Sequence, residues 1–370
     1  MDRSSWRRAW RAVGLAGALL AVACAARPAA APAQAPAAPS APAAVAPSAA
    51  PAPSSPEAAA PPALLPQKVT VSYSSVAGSF LPLWLAADEG LFAKYGLDGE
   101  ITYIGSGTTS MQSLIAGDVQ FVLTSGAEPT AAYVAGAPAQ IVIAWDSALP
   151  SVFIAVPSIT SPEQLLGQTI GITRFGGLPH VAARLALKHW GLDPDHDVQY
   201  LQLGGTPEIV AAMQAGAVVG GAMTPPTNMP ARKLGFRELG NLGQMGIPYQ
   251  GDVVAGLEPY LAANPEATRR LVRAFLEGVK IALTDDAATT ATLSKYTHLD
   301  DPELLAETIP YLRRVMRRDG APTLEGLQAV LDDIAENDPR ARDVRPEQIV
   351  DTTALDEVVG AGFLKQLYGE

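Results

Sequence analysis

The sequence predicts an α/β protein made of two lobes, each a mainly parallel sheet covered by helices, with extra helices at its C-terminus. Three observations carry this. Short β-branched runs alternate with helix-like segments from Lys68 onward, and that series occurs twice, over about 68–156 and 157–250. After Asn264-Pro265-Glu266 the chain turns helical almost to its end.

In chain order, Arg3, Arg7, Arg8 and Arg11 precede an apolar, small-residue run from Ala12 to Ala23 that is too short for a comfortable membrane span. Residues 1–23 therefore read as a secretory signal peptide. The run ends in Leu20-Ala21-Val22-Ala23-Cys24, which resembles a bacterial lipobox; acylation of Cys24 would anchor the protein to a membrane through lipid. Cys24 is the one cysteine in 370 residues, which excludes intramolecular disulfides and thiolate chemistry elsewhere. Residues 24–67 are almost wholly Ala, Pro and Ser, with no periodic apolar face to bury, and read as an extended tether.

The folded part begins at Lys68. Strands are expected near Val69–Tyr73, Glu100–Ile104, Gln120–Leu123, Gln140–Ala144, Val152–Val156, Thr169–Ile172, Val198–Leu203 and Gly220–Met223. Ser161-Pro162-Glu163-Gln164 carries a capping box for a helix start. Gly117, Gly136, Gly191 and Gly216 stand where helices should end. A return segment, Asp252-Val253-Val254-Ala255, precedes helices over Ala267–Leu283, Pro302–Arg318, Leu324–Glu336 and Leu355–Leu367. Residues 68–155 with 252–370 would form the first lobe and 156–251 the second, with Val152–Val156 and Val253–Ala255 as the hinge strands.

Charge narrows the partners. Removing residues 1–23 takes away four Arg and Asp2 and leaves 22 basic against 36 acidic side chains, a formal charge of about −14, which excludes nucleic acid as a partner. The histidines at 180, 189, 196 and 298 show no metal-ligand spacing, and neither a metal nor a cofactor is expected. Arg313, Arg314, Arg317 and Arg318 read as a solvated helix face.

Strand after strand ends in a small, polar, glycine-bearing turn: Gly105-Ser106-Gly107-Thr108-Thr109, Thr124-Ser125-Gly126-Ala127, Thr173-Arg174-Phe175-Gly176-Gly177, Gly204-Gly205-Thr206-Pro207 and Thr224-Pro225-Pro226. The carboxyl edge of an open α/β sheet is where ligands bind, and helix N-termini there offer free N–H groups. Arg174 is the cation in these turns; it either pairs with an anionic ligand or makes a bond inside its lobe. Trp145 either stacks on a planar ligand or fills core. No paired carboxylate or Ser/His arrangement stands out in the loops.

A family resemblance lies in Pro82-Leu83-Trp84-Leu85-Ala86-Ala87-Asp88-Glu89-Gly90-Leu91-Phe92-Ala93-Lys94-Tyr95-Gly96-Leu97, in Leu114-Ile115-Ala116-Gly117-Asp118-Val119 and in Gly171-Ile172-Thr173-Arg174-Phe175-Gly176. The chain resembles the nitrate/sulfonate/taurine-type solute-binding proteins of ABC importers, a group with thiamine-precursor relatives, over nearly all of Lys68 to Leu283. The resemblance implies a type II periplasmic-binding fold, a small-molecule ligand that is anionic or aromatic, and an ABC permease with its ATPase as partners. It also implies a monomer, exported to the periplasm or cell surface. By position, Ser74, Ser75, Ser79 and Phe80, with Ser106, Gly107, Thr108, Ser125 and Gly126, should form one wall of the site. Trp145, Arg174, Phe175, Gly176, Thr206 and Thr224 should form the hinge side and the opposite wall.

Two rival functions remain at this level. A ligand-sensing lipoprotein would use the same two lobes to report to a signalling partner. An enzyme on this fold is disfavoured, because the pyrimidine-making relatives carry a cysteine-rich motif that one cysteine cannot supply.

Overall fold

The computed structural model describes residues 66–146 and 148–369. The signal peptide, Cys24 and the tether as far as residue 65 lie outside the described residues. The strands are β1 (Gln67–Tyr73), β2 (Leu97–Tyr103), β3 (Phe121–Ser125), β4 (Ala139–Ala144), β5 (Val152–Ala155), β6 (Thr169–Ile172), β7 (Gln199–Gln202), β8 (Gly220–Met223), β9 (Arg237–Asn241) and β10 (Asp252–Leu257). They form two five-stranded sheets, β2-β1-β3-β10-β4 and β7-β6-β8-β5-β9. In the first, β1 runs parallel to β2 and β3, and β10 inserts antiparallel between β3 and β4. In the second, β6 runs parallel to β7 and β8, while β5 is antiparallel to β8 and β9.

The two-lobed α/β architecture is the one expected, but the connection between the lobes differs. Neither Val152–Val156 nor Val253–Ala255 spans both sheets. β5 has its two edges taken by β8 and β9, and β10 by β3 and β4, so each strand is hydrogen-bonded wholly within one sheet. The chain passes from one sheet to the other between β4 and β5 and returns between β9 and β10, which puts Val152–Ala155 in the second lobe. β9 was not foreseen, because Arg237-Glu238-Leu239-Gly240-Asn241 is polar and broken by glycine.

The four glycines expected at helix ends have φ between 72° and 98°, the left-handed conformation that a C-terminal cap needs. The capping-box segment makes a single 3-10 turn, Pro162–Leu165, in which the Ser161 N–H donates to Gln164 Oε1 at 3.2 Å. The helix Pro265–Thr284 lays Leu271, Val272, Phe275, Leu276 and Val279 on the first sheet's core, the spacing of one apolar helical face. An unforeseen helix, Asp286–Thr297, follows it. The last expected helix breaks at Gly362 into Thr353–Gly360 and Phe363–Tyr368. The helix Leu324–Asn337 touches both lobes, burying Leu327 and Leu331 in the first core and Val330 in the second. Among the described residues, no helix is long and apolar enough to cross a membrane.

Candidate ligand-binding site

The carboxyl ends of the parallel strands in both sheets face one cleft. From the first lobe come Ser74, Ser75, Ala77 and Phe80 after β1, Ser106 and Gly107 after β2, and Ser125 ending β3. From the second come Thr173 after β6, Gly205 and Thr206 after β7, and Thr224 after β8. Because β10 runs antiparallel to β3, its first residue pairs with the last of β3. That brings Asp252 to the same edge. The enclosed space between the walls is about 50 Å³, so the two walls nearly meet in this arrangement.

Bonds cross between the lobes around the cleft. The Gly78 N–H donates to the Pro225 carbonyl at 3.0 Å, and the Thr108 hydroxyl to the Phe175 carbonyl at 3.4 Å. The Leu178 N–H, at the start of the second-lobe helix Leu178–His189, donates to Glu128 Oε1 at 3.2 Å. Glu128 belongs to the first-lobe helix Ala127–Val134 and is buried. Its other oxygen accepts from the Ser125 hydroxyl, which itself accepts from Tyr249 at 2.9 Å. Burial pushes the Glu128 carboxyl up to about 7, against the lowering effect of these hydrogen bonds. The carboxylate fits only because residue 107 is glycine: a Cβ there would overlap Glu128 Oε1.

Asp252 of this wall and Asp146 beside it form a pair of buried acids. The Asp252 N–H donates to Asp146 Oδ1 at 2.8 Å, while Asp146 Oδ2 and both carboxylate oxygens of Asp252 lack a hydrogen-bond partner of ordinary geometry. The Ser79 hydroxyl, also without such a partner, is close enough to pull the Asp252 pKa down somewhat. Burial dominates and pushes both carboxyls up; repulsion from Asp252 adds to this for Asp146, and repulsion from Glu128 for Asp252. The described residues lining the cleft include two carboxylates, Glu128 and Asp252, and no Lys, Arg or His.

Residues 77–288 match the NMT1/THI5-like family, more than half of the chain. The chain belongs to that family. Two curated proteins are similar to this family member over stretches of about the same length. The riboflavin-binding protein RibY of Chloroflexus aurantiacus is 30% identical over 221 residues, and the taurine-binding periplasmic protein of Escherichia coli 27% over 214. The matches take in 58% and 56% of this chain, and the chain spans 62% and 64% of those relatives' own lengths. Among solved structures, a Bordetella bronchiseptica protein superposes with a TM-score of 0.71 at 19% identity, covering 82% of this chain and 98% of that one. The nitrate-binding protein NrtA of Synechocystis does so with a TM-score of 0.67 at 14% identity, covering 80% and 89%. With the aliphatic sulphonate-binding protein SsuA of Escherichia coli the TM-score is 0.62 at 19% identity, over 77% and 92%. These likenesses establish the periplasmic-binding fold for this NMT1/THI5-like protein.

Of the residues singled out from sequence, Ser74, Ser75, Phe80, Ser106, Gly107, Ser125, Thr206 and Thr224 lie together on the cleft wall. The others stand elsewhere. Trp145 is fully buried in the first core, stacked on Phe275 with ring centroids 5.5 Å apart, and donates its indole N–H to the Ser79 carbonyl at 2.8 Å. Arg174 and Phe175 are exposed beyond the wall, and the Gly176 N–H donates to His180 Nδ1 at 3.1 Å. Gly126 opens its helix against Gln250, and Ser79 is buried. Sequence reading found no paired carboxylates, whereas the fold sets Glu128 and Asp252 on one wall. A signal for Asp252 was present: it is a lone acid opening the apolar strand Val253-Val254-Ala255.

Proposed function

We propose that this NMT1/THI5-like protein is the extracytoplasmic solute-binding component of an ABC importer. It captures a small organic molecule between its lobes and presents it to a membrane permease driven by an ATPase. It works as a monomer held at the membrane by lipid on Cys24, and it catalyses nothing. One observation carries the reading. The cleft is built from strand ends of both lobes, so a molecule seated there touches both walls and its binding energy favours the closed arrangement. The names of the riboflavin-, taurine-, sulphonate- and nitrate-binding relatives support a small solute.

Small-angle scattering on the full-length chain tests it. A solute that raises the melting temperature should also shrink the radius of gyration, as lobes that part in its absence are drawn together. A solute that binds without compaction would remove lobe closure, and turnover of a bound molecule would replace the reading with an enzyme.

A further inference from the structure

We infer that two ionic clasps beside the cleft hold the lobes together, so that closure of this protein is set by ionic strength as well as by solute. The inference rests on the reading of the lobes as parts that open and close. In the first clasp, Arg184 and Lys188 lie one turn apart on the second-lobe helix Leu178–His189. They face Asp333 and Glu336 on the helix Leu324–Asn337, whose Leu327 and Leu331 are seated in the first lobe's core. Arg184 donates from Nε to Asp333 at 3.3 Å and from Nη2 to Glu336 at 3.0 Å, and Lys188 pairs with both acids, with Glu336 at 2.8 Å. In the second clasp, Arg232 and Lys233 end the second-lobe helix Met229–Lys233. Lys233 Nζ donates to Asp301 Oδ2 at 3.0 Å, and Arg232 Nη1 lies 3.4 Å from Glu307. Asp301 caps the helix Pro302–Val315 and Glu307 is part of it; that helix buries Leu305 and Leu312 in the first core.

The polarity is the same in each of these pairs: the second lobe brings the cation and the first lobe the acid. Apolar packing between the lobes is incomplete at both places. A cavity of about 210 Å³ lies between Val181 and Arg184 of one lobe and Asp333 and Ile334 of the other, and one of about 260 Å³ between Pro226 and Pro230 and the segment Thr297-His298-Leu299. Charge is thus what joins the lobes there. Opening leaves most of these groups a partner. Arg184 keeps Asp195 of its own lobe at 3.1 Å, and Asp301 keeps the Glu303 N–H on Oδ1 at 3.1 Å, since only Oδ2 is spent on Lys233. Lys188, Glu336, Arg232 and Glu307 are part exposed and take water instead. Pairs this exposed contribute little singly and are screened by salt, so together they form a catch that ionic strength can weaken.

Small-angle scattering on the full-length chain in plain KCl tests this, from about 0.02 M to about 0.5 M, over which the screening length falls from roughly 20 Å to roughly 4 Å. The radius of gyration should rise with salt. At low salt, Arg232→Glu or Glu307→Lys alone should raise the ratio of open to closed molecules about threefold or more, and the two together should return it to the parent's value. A merely structural disturbance would show no such rescue. Lys188→Glu, in the other clasp, should open the protein as the first two substitutions do singly. Should a variant fail to fold, the salt series on the unmodified protein still decides. A radius indifferent to salt, a double variant more open than either single, or a Lys188→Glu protein as closed as the parent overturns the paired clasps and leaves the solute-binding reading standing. That reading fails separately, if no solute compacts the protein at high salt, where the clasps are screened.

Discussion

Gly107 shows how much of the cleft depends on one missing methyl group. A Cβ at residue 107 would overlap Glu128 Oε1 and stand 2.6 Å from Thr124 Oγ1, in the space that lets the carboxyl reach the Leu178 N–H of the other lobe. Gly107→Ala therefore forces Glu128 off its seat, leaving a buried acid and a helix N-terminus without their shared bond. Overpacking of this kind costs about 1–3 kcal/mol. Urea unfolding should show a lower midpoint with an unchanged m-value, and the solute affinity should fall with it; a midpoint equal to the parent's would mean that Glu128 has room to retreat. Trp145 makes the complementary point. Of its two possible roles, the structure shows the core one, and its link to the cleft is indirect, through the Ser79 carbonyl that its indole N–H holds at 2.8 Å.

Among the elements, the helix Leu324–Asn337 ties the C-terminal region to the second lobe through charge. Arg184, on the helix Leu178–His189, is buried; its Nε lies 3.3 Å from Asp333, and its Nη2 donates to Glu336 at 3.0 Å and to Asp195 at 3.1 Å. Lys188 adds a 2.8 Å pair with Glu336. Asp333 is buried as well, but Asp195 and Glu336 are part exposed and Lys188 also pairs with Asp333, so removing Arg184 costs less than breaking a wholly buried pair, on the order of 1–3 kcal/mol. Arg184→Ala should lose stability on that scale, and pairing it with Asp333→Ala should return part of the loss; strictly additive losses in a double-mutant cycle would show that the two side chains do not act together. The link between the lobes was not visible in sequence, where Asp333 and Glu336 lie 149 and 152 residues from Arg184. What was visible is what local periodicity records: the parallel strands, the helices with a clear apolar face such as Pro265–Thr284, and the glycine-bearing turns that became the cleft's edge. Hidden were elements lacking such a pattern, β9 and Asp286–Thr297, and the carboxylates, because Glu128 and Asp252 meet only through the antiparallel insertion of β10 beside β3. Arg174 drew attention as the cation in a site-like turn, yet the turn places it on the exposed side.

For the molecule as a whole, the buried acids set an unusual response to pH. The Glu128 carboxyl is raised from 4.5 to about 7 and that of Asp252 from 3.8 to about 7, with Asp146, Tyr249 and Ser79 facing the latter. An acid whose pKa is raised on folding contributes stability that is full below its unfolded value and lost as pH climbs through the folded one. Between pH 6 and 8 the unfolded chain carries these carboxyls ionised while the folded chain gives up its protons, so each acid removes on the order of 1 kcal/mol over that interval. His180 pulls the other way: burial lowers it to about 4, so the unfolded chain alone binds a proton there as pH falls, which favours higher pH by somewhat under 1 kcal/mol over the same range. Ion-paired carboxylates such as Asp195 and Glu277, held below their usual range, titrate at lower pH and leave the interval untouched. The unliganded protein should therefore melt a few degrees lower at pH 8 than at pH 6. Glu128→Gln should flatten that slope by more than half, and a melting temperature that rises from pH 6 to 8 in the parent would mean these acids are ionised and satisfied in the folded protein.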